Sequence, residues 1–163
     1  MPDSCVRSHT INVEHVQIIC ARPFAQVWAA IQRSAPGLDP QLAQDLVGGR
    51  TDAIAQRRAS GPKLWLFLTR DHGALVAAEG RHEKALQLEI GNPLTAERMT
   101  RRHLGAALYA PLRVVLYEDA QGRAIIEYDL PSSLFCQFGD REVAAVGQEL
   151  DEELEELLLN AAS

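Results

Sequence analysis

An apolar stripe near the end of the chain sets the first constraint: Val143, Val146, Leu150, Leu154, Leu157 and Leu158 recur at helical spacing behind Asp140. That period predicts a helix of about five turns with one greasy side, and an aspartate at its start caps the first-turn amides. A one-sided helix of this length holds its shape only when another layer covers the stripe. The middle of the chain must supply that layer. The other side of the same segment carries "ELDEELEE", Glu149 to Glu156, with six of the 22 acidic residues, and the remaining 16 balance the 16 Lys and Arg. The net charge of -6 therefore belongs to this one helix. It reads as a solvated outer surface or as a docking face for a basic partner.

The middle of the chain has the grammar of strands. "HTINVEHVQIIC", His9 to Cys20, alternates partially and predicts a strand with one wetter face. "KLWLFLTRDHGALVAAEG" shows two apolar runs around Asp71–Gly73, which predicts a buried central hairpin with His72 at the turn and Gly73 as its left-handed residue. "KALQLEIG" is a further strand, and "PLRVVLYED" and "RAIIEYDLP" flank "AQG" as a second hairpin. A three-residue loop with Gly122 left-handed sets Asp119 opposite Arg123, and the same register sets Arg113 opposite Asp129. Such a pair either pins the register or lines a polar spot in a pocket. The sheet is expected to be mostly antiparallel, with five to six strands.

Helices are expected between these strands. Phe24, Val27, Trp28 and Ile31 follow Pro23 at helical spacing. Asp39 before Pro40 starts a short helix with Leu42 and Leu46 on one side, and Thr51 opens another, "DAIAQRRA", so residues 39–62 read as a mobile helical excursion. In "EIGNPLTAERM", Asn92 before Pro93 is cap-then-proline grammar, while Gly91 gives the backbone freedom for a sharp exit from a strand. The alternative, an anion held at that helix start, competes with Asn92 for the same amides. Ala96, Met99 and His103 then place His103 at the edge of the buried side. Residues 1–8 read as a flexible tail, and the chain as a single domain of 163 residues.

Composition limits the chemistry. With 47% hydrophobic and 23% charged residues the chain can bury a real core. The only basic clusters are Gln56–Arg58 and Arg101–Arg102, too little to displace phosphate counterions, so nucleic acid is not an expected partner. No run approaches the roughly 18 apolar residues of a membrane span, and "MPDSCVRSHT" lacks a signal pattern. Cys5, Cys20 and Cys136 lack CxxC spacing, which fits a reducing, cytoplasmic setting and neither a disulfide scaffold nor a zinc site. The five histidines show no metal grammar, and there is no GxSxG elbow, Walker loop or GxGxxG. No cofactor and no metal are expected.

The chained motifs "EIGNPLTAERM", "AALYAPLRVVLYED", "EYDLPSSLF" and "FGD" ahead of the amphipathic terminal helix, together with "DHGALVA", resemble the family known as domain of unknown function 302. The resemblance runs from about Thr10 to Ala161. It implies a compact α+β domain with a curved antiparallel sheet and helices packed on it, similar to the TATA-binding-protein-like class, and it brings no activity or catalytic residue. Residues 39–62 are longer than the compact family pattern, and Cys136 is not a fixed element of it. The leading expectation is a non-catalytic small-molecule-binding or regulatory module with a cavity between the last helix and the sheet. Its candidate ligand-binding residues are His72, Asn92, His103, Tyr109, Arg113, Asp129 and Cys136. Two alternatives are a small enzyme using Cys136 or His72 with Arg113 as anion anchor, and a homodimeric interaction module.

Overall fold

In the computed structural model, which describes residues 4–80 and 82–163, five strands form one open antiparallel sheet. They are β1 (His15–Ile19), β2 (Trp65–Asp71), β3 (Ala85–Gly91), β4 (Leu112–Glu118) and β5 (Ala124–Asp129), ordered β1-β5-β4-β3-β2. The helices are α1 (Phe24–Ser34), α2 (Pro40–Val47), α3 (Thr51–Ser60), α4 (His72–Ala77), α5 (Pro93–Thr100), α6 (Pro131–Phe135) and α7 (Arg141–Ala162). The fold class is α+β. Residues 4–14 carry no helix or strand, and residues 1–3 of the expected tail lie outside the described residues.

The terminal helix behaves as its stripe requires. Asp140 Oδ1 accepts from the amides of Glu142 at 2.8 Å and Val143 at 3.1 Å, which starts α7. Val143, Val146, Leu150, Leu154 and Leu158 are buried in one core with α1 and with Leu88, Val114, Leu116 and Ile126 from the inner face of the sheet. The alternation of β4 and β5 thus delivers one set of side chains to the helices and the other to the outer face. No helix among the described residues is long and apolar enough to cross a membrane.

The β4–β5 hairpin has the expected loop. Gly122 takes φ 76°, Asp119 N donates to Arg123 O at 2.9 Å, and Arg123 Nε donates to Asp119 Oδ2 at 2.8 Å. The paired register runs from Glu118 opposite Ala124 to Val114 opposite Tyr128, and the expected Arg113–Asp129 pair lies one step beyond it.

The other expected hairpin is different. The run after β2 is helix α4, because Asp71 Oδ1 accepts from Ala74 N at 2.9 Å and the alanine-rich segment that follows propagates the turn. His72 is therefore the first residue of a helix and not the tip of a hairpin. Gly73 does not have a left-handed backbone; it is small because a Cβ there would come 2.3 Å from Glu83 O. With α4 inserted, β2 pairs with β3 and lies at the sheet's edge, so it is not central. Between β5 and α7 the chain forms the short helix α6, which Pro131 opens.

The segment 39–62 forms α2 and α3. Asp39 Oδ1 caps α2 by accepting from Gln41 N at 2.8 Å, and its other oxygen holds Arg57 Nη1 of α3 at 2.5 Å. Leu42 of α2 joins Trp65 and Leu94 in a second, smaller apolar cluster. Asp45, the buried carboxylate, is met by Arg50 and by Gln41 Nε2.

Candidate functional site

The seam between the two apolar clusters is where the molecule opens. Helix α5 spans that seam, with Leu94 buried in the smaller cluster and Met99 in the main core. Its start follows from three residues. Asn92 Oδ1 accepts from Leu94 N at 2.9 Å and Thr95 N at 3.4 Å, Asn92 Nδ2 donates to Lys63 O at 2.8 Å, and Pro93 fills the first helical position. The cap oxygen thus already occupies the Leu94 and Thr95 amides that an anion at this helix start would need. Gly91 ends β3 without a left-handed backbone; it is buried where a Cβ would stand 3.3 Å from Pro111 Cβ.

Beside this turn lies a cavity of about 380 Å³. Its walls come from six parts of the chain: Phe67 of β2, Pro93, Ala96 and Met99 of α5, the cis Ala110–Pro111 step, Leu112 of β4, Phe135 of α6 and Leu150 of α7. Leu46 of α2 closes one side. The polar residues around it are Asn92, Thr95, Glu97 and Thr100, and two of these are occupied locally: Asn92 as the cap and Thr100, whose Oγ1 donates to Ala96 O at 3.0 Å. A volume near 380 Å³ lies in the range of about 300–1,000 Å³ used by small-molecule sites, which are mostly apolar with a few placed polar groups.

The residues expected to bind a ligand are dispersed. Asn92 borders the cavity. Tyr109 and Arg113 line a separate cleft of about 440 Å³ with Glu89, Leu108 and Pro111. Arg113 also borders a shallow cleft on the outer face of the sheet, with His15, Gln87, Glu127 and Asp129. The ion pair expected between Arg113 and Asp129 does not form, although both residues border that cleft. Asp129 Oδ1 is taken by His15 Nδ1 at 2.9 Å from the neighbouring β1, and Arg113 has no side-chain hydrogen bond or ion pair among the described residues. His103 does not extend the buried side of α5, which ends at Thr100. It caps a 3₁₀ segment, Leu104–Tyr109, by accepting from Gly105 N at 3.2 Å, with its ring 4.6 Å from that of Phe138.

His72 is exposed at the start of α4, and Cys136 is exposed just after α6 with its Sγ 3.5 Å from Ser133 O. Neither lines the cavity or the Tyr109–Arg113 cleft. Ser133 Oγ donates to Leu130 O at 2.6 Å and accepts from Glu14 N at 3.1 Å, a structural role. Among the described residues no group of three or more His, Cys, Asp or Glu is arranged to hold a metal ion.

The groups that sequence reasoning missed sit on the outer face. Glu127 accepts from Gln17 Nε2 at 2.6 Å and Tyr117 Oη at 2.7 Å, with His15 Nε2 3.5 Å away. The Tyr117 hydroxyl, Gln17 and the nearby imidazole hold the Glu127 carboxyl below its ordinary range, and the bond to Asp129 raises the His15 imidazole. Only the pairing of β1 with β5 brings these residues together, and no local pattern announces a strand partner more than a hundred residues away.

A sequence model of the family described as "Domain of unknown function DUF302" matches residues 52–161. The solved structure described as "Crystal structure of uncharacterized conserved protein DUF302 from Bacillus stearothermophilus" superposes with a TM-score of 0.66 at 14% identity, covering 91% of this chain and 98% of that one. At that identity the likeness concerns the fold. No curated protein matches the chain.

Proposed function

Since this chain belongs to the DUF302 family, whose description names a fold unit and no reaction, we propose from its own geometry that it is a non-catalytic module holding a small, compact, mainly apolar molecule in the cavity beside α5. The observation that carries this reading is the cavity itself: about 380 Å³, walled by Phe67, Met99, Pro111, Leu112, Phe135 and Leu150, at the seam of two cores. An apolar cavity of roughly 150 Å³ accommodates a single benzene ring, so this one suits a fused bicycle or a short branched chain. Affinity comes from removing the ligand's apolar surface from water, at about 25 cal/mol per Å² before the cost of immobilisation. Catalysis finds less support, because the nucleophile and base candidates Cys136 and His72 do not converge with Arg113.

Thermal unfolding with indole and 1-naphthol as probes tests the reading. A probe at about a hundred times its dissociation constant adds about 2.7 kcal/mol, and for a chain of this size about 1 kcal/mol moves Tm by roughly 2–4 °C. Ala96→Phe, which projects a ring into the cavity, abolishes that shift while the protein stays folded. If neither probe raises Tm in the unsubstituted protein, the reading fails.

A further inference from the structure

The core helices α1 and α7 pack on the inner face of the sheet, and the outer face carries polar rows. His15 stands opposite Asp129 there on β1 and β5, and Arg113 opposite Glu89 on β4 and β3, beside the row Gln17, Glu127, Val115 and Gln87. At the margins stand three apolar side chains that water surrounds: Ile19 at 57% exposure, Leu68 at 42% and Leu108 at 79%. One wet face is common for an antiparallel sheet. An arginine with no partner among the described residues on its floor, and leucines on its rim, are not what solvation alone calls for.

We propose that this outer face is the contact surface of a symmetric homodimer. A two-fold contact presents the same patch from both sides, so the patch must complement itself. This one carries both signs of charge: Arg113 lacks a partner among the described residues, and Glu127 sits one strand across and one row along from it. From Val115 at the centre, Arg113 lies about 7 Å along the strand and Glu127 about 5 Å across it. Two such sheets stacked with their strands crossed near right angles, a known packing mode, set each Arg113 over Glu127 of the partner subunit. The same crossing covers Val115 and Tyr117, and Leu108 walls one side. Five strands about 4.8 Å apart and roughly 20 Å long give a flat footprint of about 500 Å². Side-chain relief and the Leu108 wall bring the accessible area toward the roughly 800 Å² per partner of a standard specific interface.

Sedimentation velocity from about 2 to about 500 µM covers the micromolar range expected of a contact of this size. The unsubstituted protein is expected to pass from monomer to dimer across that range. Arg113→Glu raises the dimer dissociation constant at least about tenfold, and adding Glu127→Arg to it restores association, as a charge reversal across an interface does. Leu108→Asp, on an exposed 3₁₀ segment, gives an independent loss of association should the charge variants alter the sheet. Circular dichroism verifies that each variant is folded. A monomer at every concentration overturns the proposal, and so does a dimer that neither Arg113→Glu nor Leu108→Asp weakens, which would place the contact at a strand edge instead.

Discussion

The two faces of the sheet are built from the same five strands and obey different physics. The inner face sends Leu88, Val114, Leu116 and Ile126 against α1 and α7, where apolar area is removed from water and packing decides the outcome. The outer face sends His15, Arg113, Tyr117, Glu127 and Asp129 toward solvent, where cross-strand hydrogen bonds and charge pairs set the arrangement. The inner face therefore holds the fold together. The outer face is free to be specialised, because altering it leaves the core intact.

The widest separation between the faces is expected in stability. Leu154, fully buried on α7 under the inner face, loses about 2–5 kcal/mol on Leu154→Ala, from transfer and cavity terms together. Val115→Ala on the outer face removes about 0.8 kcal/mol, since a half-buried side chain has already kept part of its surface in water. Urea unfolding at low protein concentration measures both. Equal losses would mean that the outer face is as much a core as the inner one.

That asymmetry also explains what the sequence disclosed. The α7 stripe, the Asp140 cap, the Asn92–Pro93 turn and the Gly122 loop are local statements, each legible because a period or a turn residue has one cheap structural solution. The segment His72–Ala77 misled because a short apolar run is ambiguous between strand and helix; the deciding feature, Asp71 three residues before Ala74, is a single hydrogen bond. A cavity between the last helix and the sheet was expected, but its walls were not legible. Its walls come from six separated parts of the chain, and only the folded seam between the Leu42–Trp65–Leu94 cluster and the main core brings them together. The Gly-Asn-Pro turn did mark its border, for reasons of backbone and not of ligand. Likewise the hairpin led to the expectation that Arg113 and Asp129 would meet, yet β1 arrives from the far end of the chain and its His15 takes the carboxylate.

A smaller effect sharpens the account of the outer face. Tyr117→Phe deletes the 2.7 Å bond to Glu127 and should cost about 0.5–1.5 kcal/mol, the net worth of one hydrogen bond to a partly exposed carboxylate. The carboxyl of Glu127, held low chiefly by that hydroxyl, should titrate closer to its ordinary value in the variant. The sign follows: a depressed carboxyl adds stability that is present above its unfolded value and is lost as pH falls through the folded one. Acid unfolding profiles of the variant should therefore be flatter below about pH 4.5 than those of the parent. An unchanged profile would show that Gln17 and His15 hold Glu127 without the hydroxyl.

The smallest effect belongs to His15, and it isolates the pairing that displaced Arg113. The hydrogen bond to Asp129 is the main reason its imidazole is raised above 6.5, with the charges of Asp129 and Glu127 adding to it. A raised histidine contributes stability that is complete below its unfolded value and disappears as pH climbs through the folded one, so β1 is held better at pH 6 than at pH 8. The imidazole is 57% exposed, and solvent screening keeps the difference to a few tenths of a kcal/mol. Asp129→Asn removes the main cause, and the His15 ring protons, followed by NMR through pH 5–9, should titrate at a lower pH than in the parent. A His15 midpoint that does not fall would place the hold on β1 in Glu127 instead.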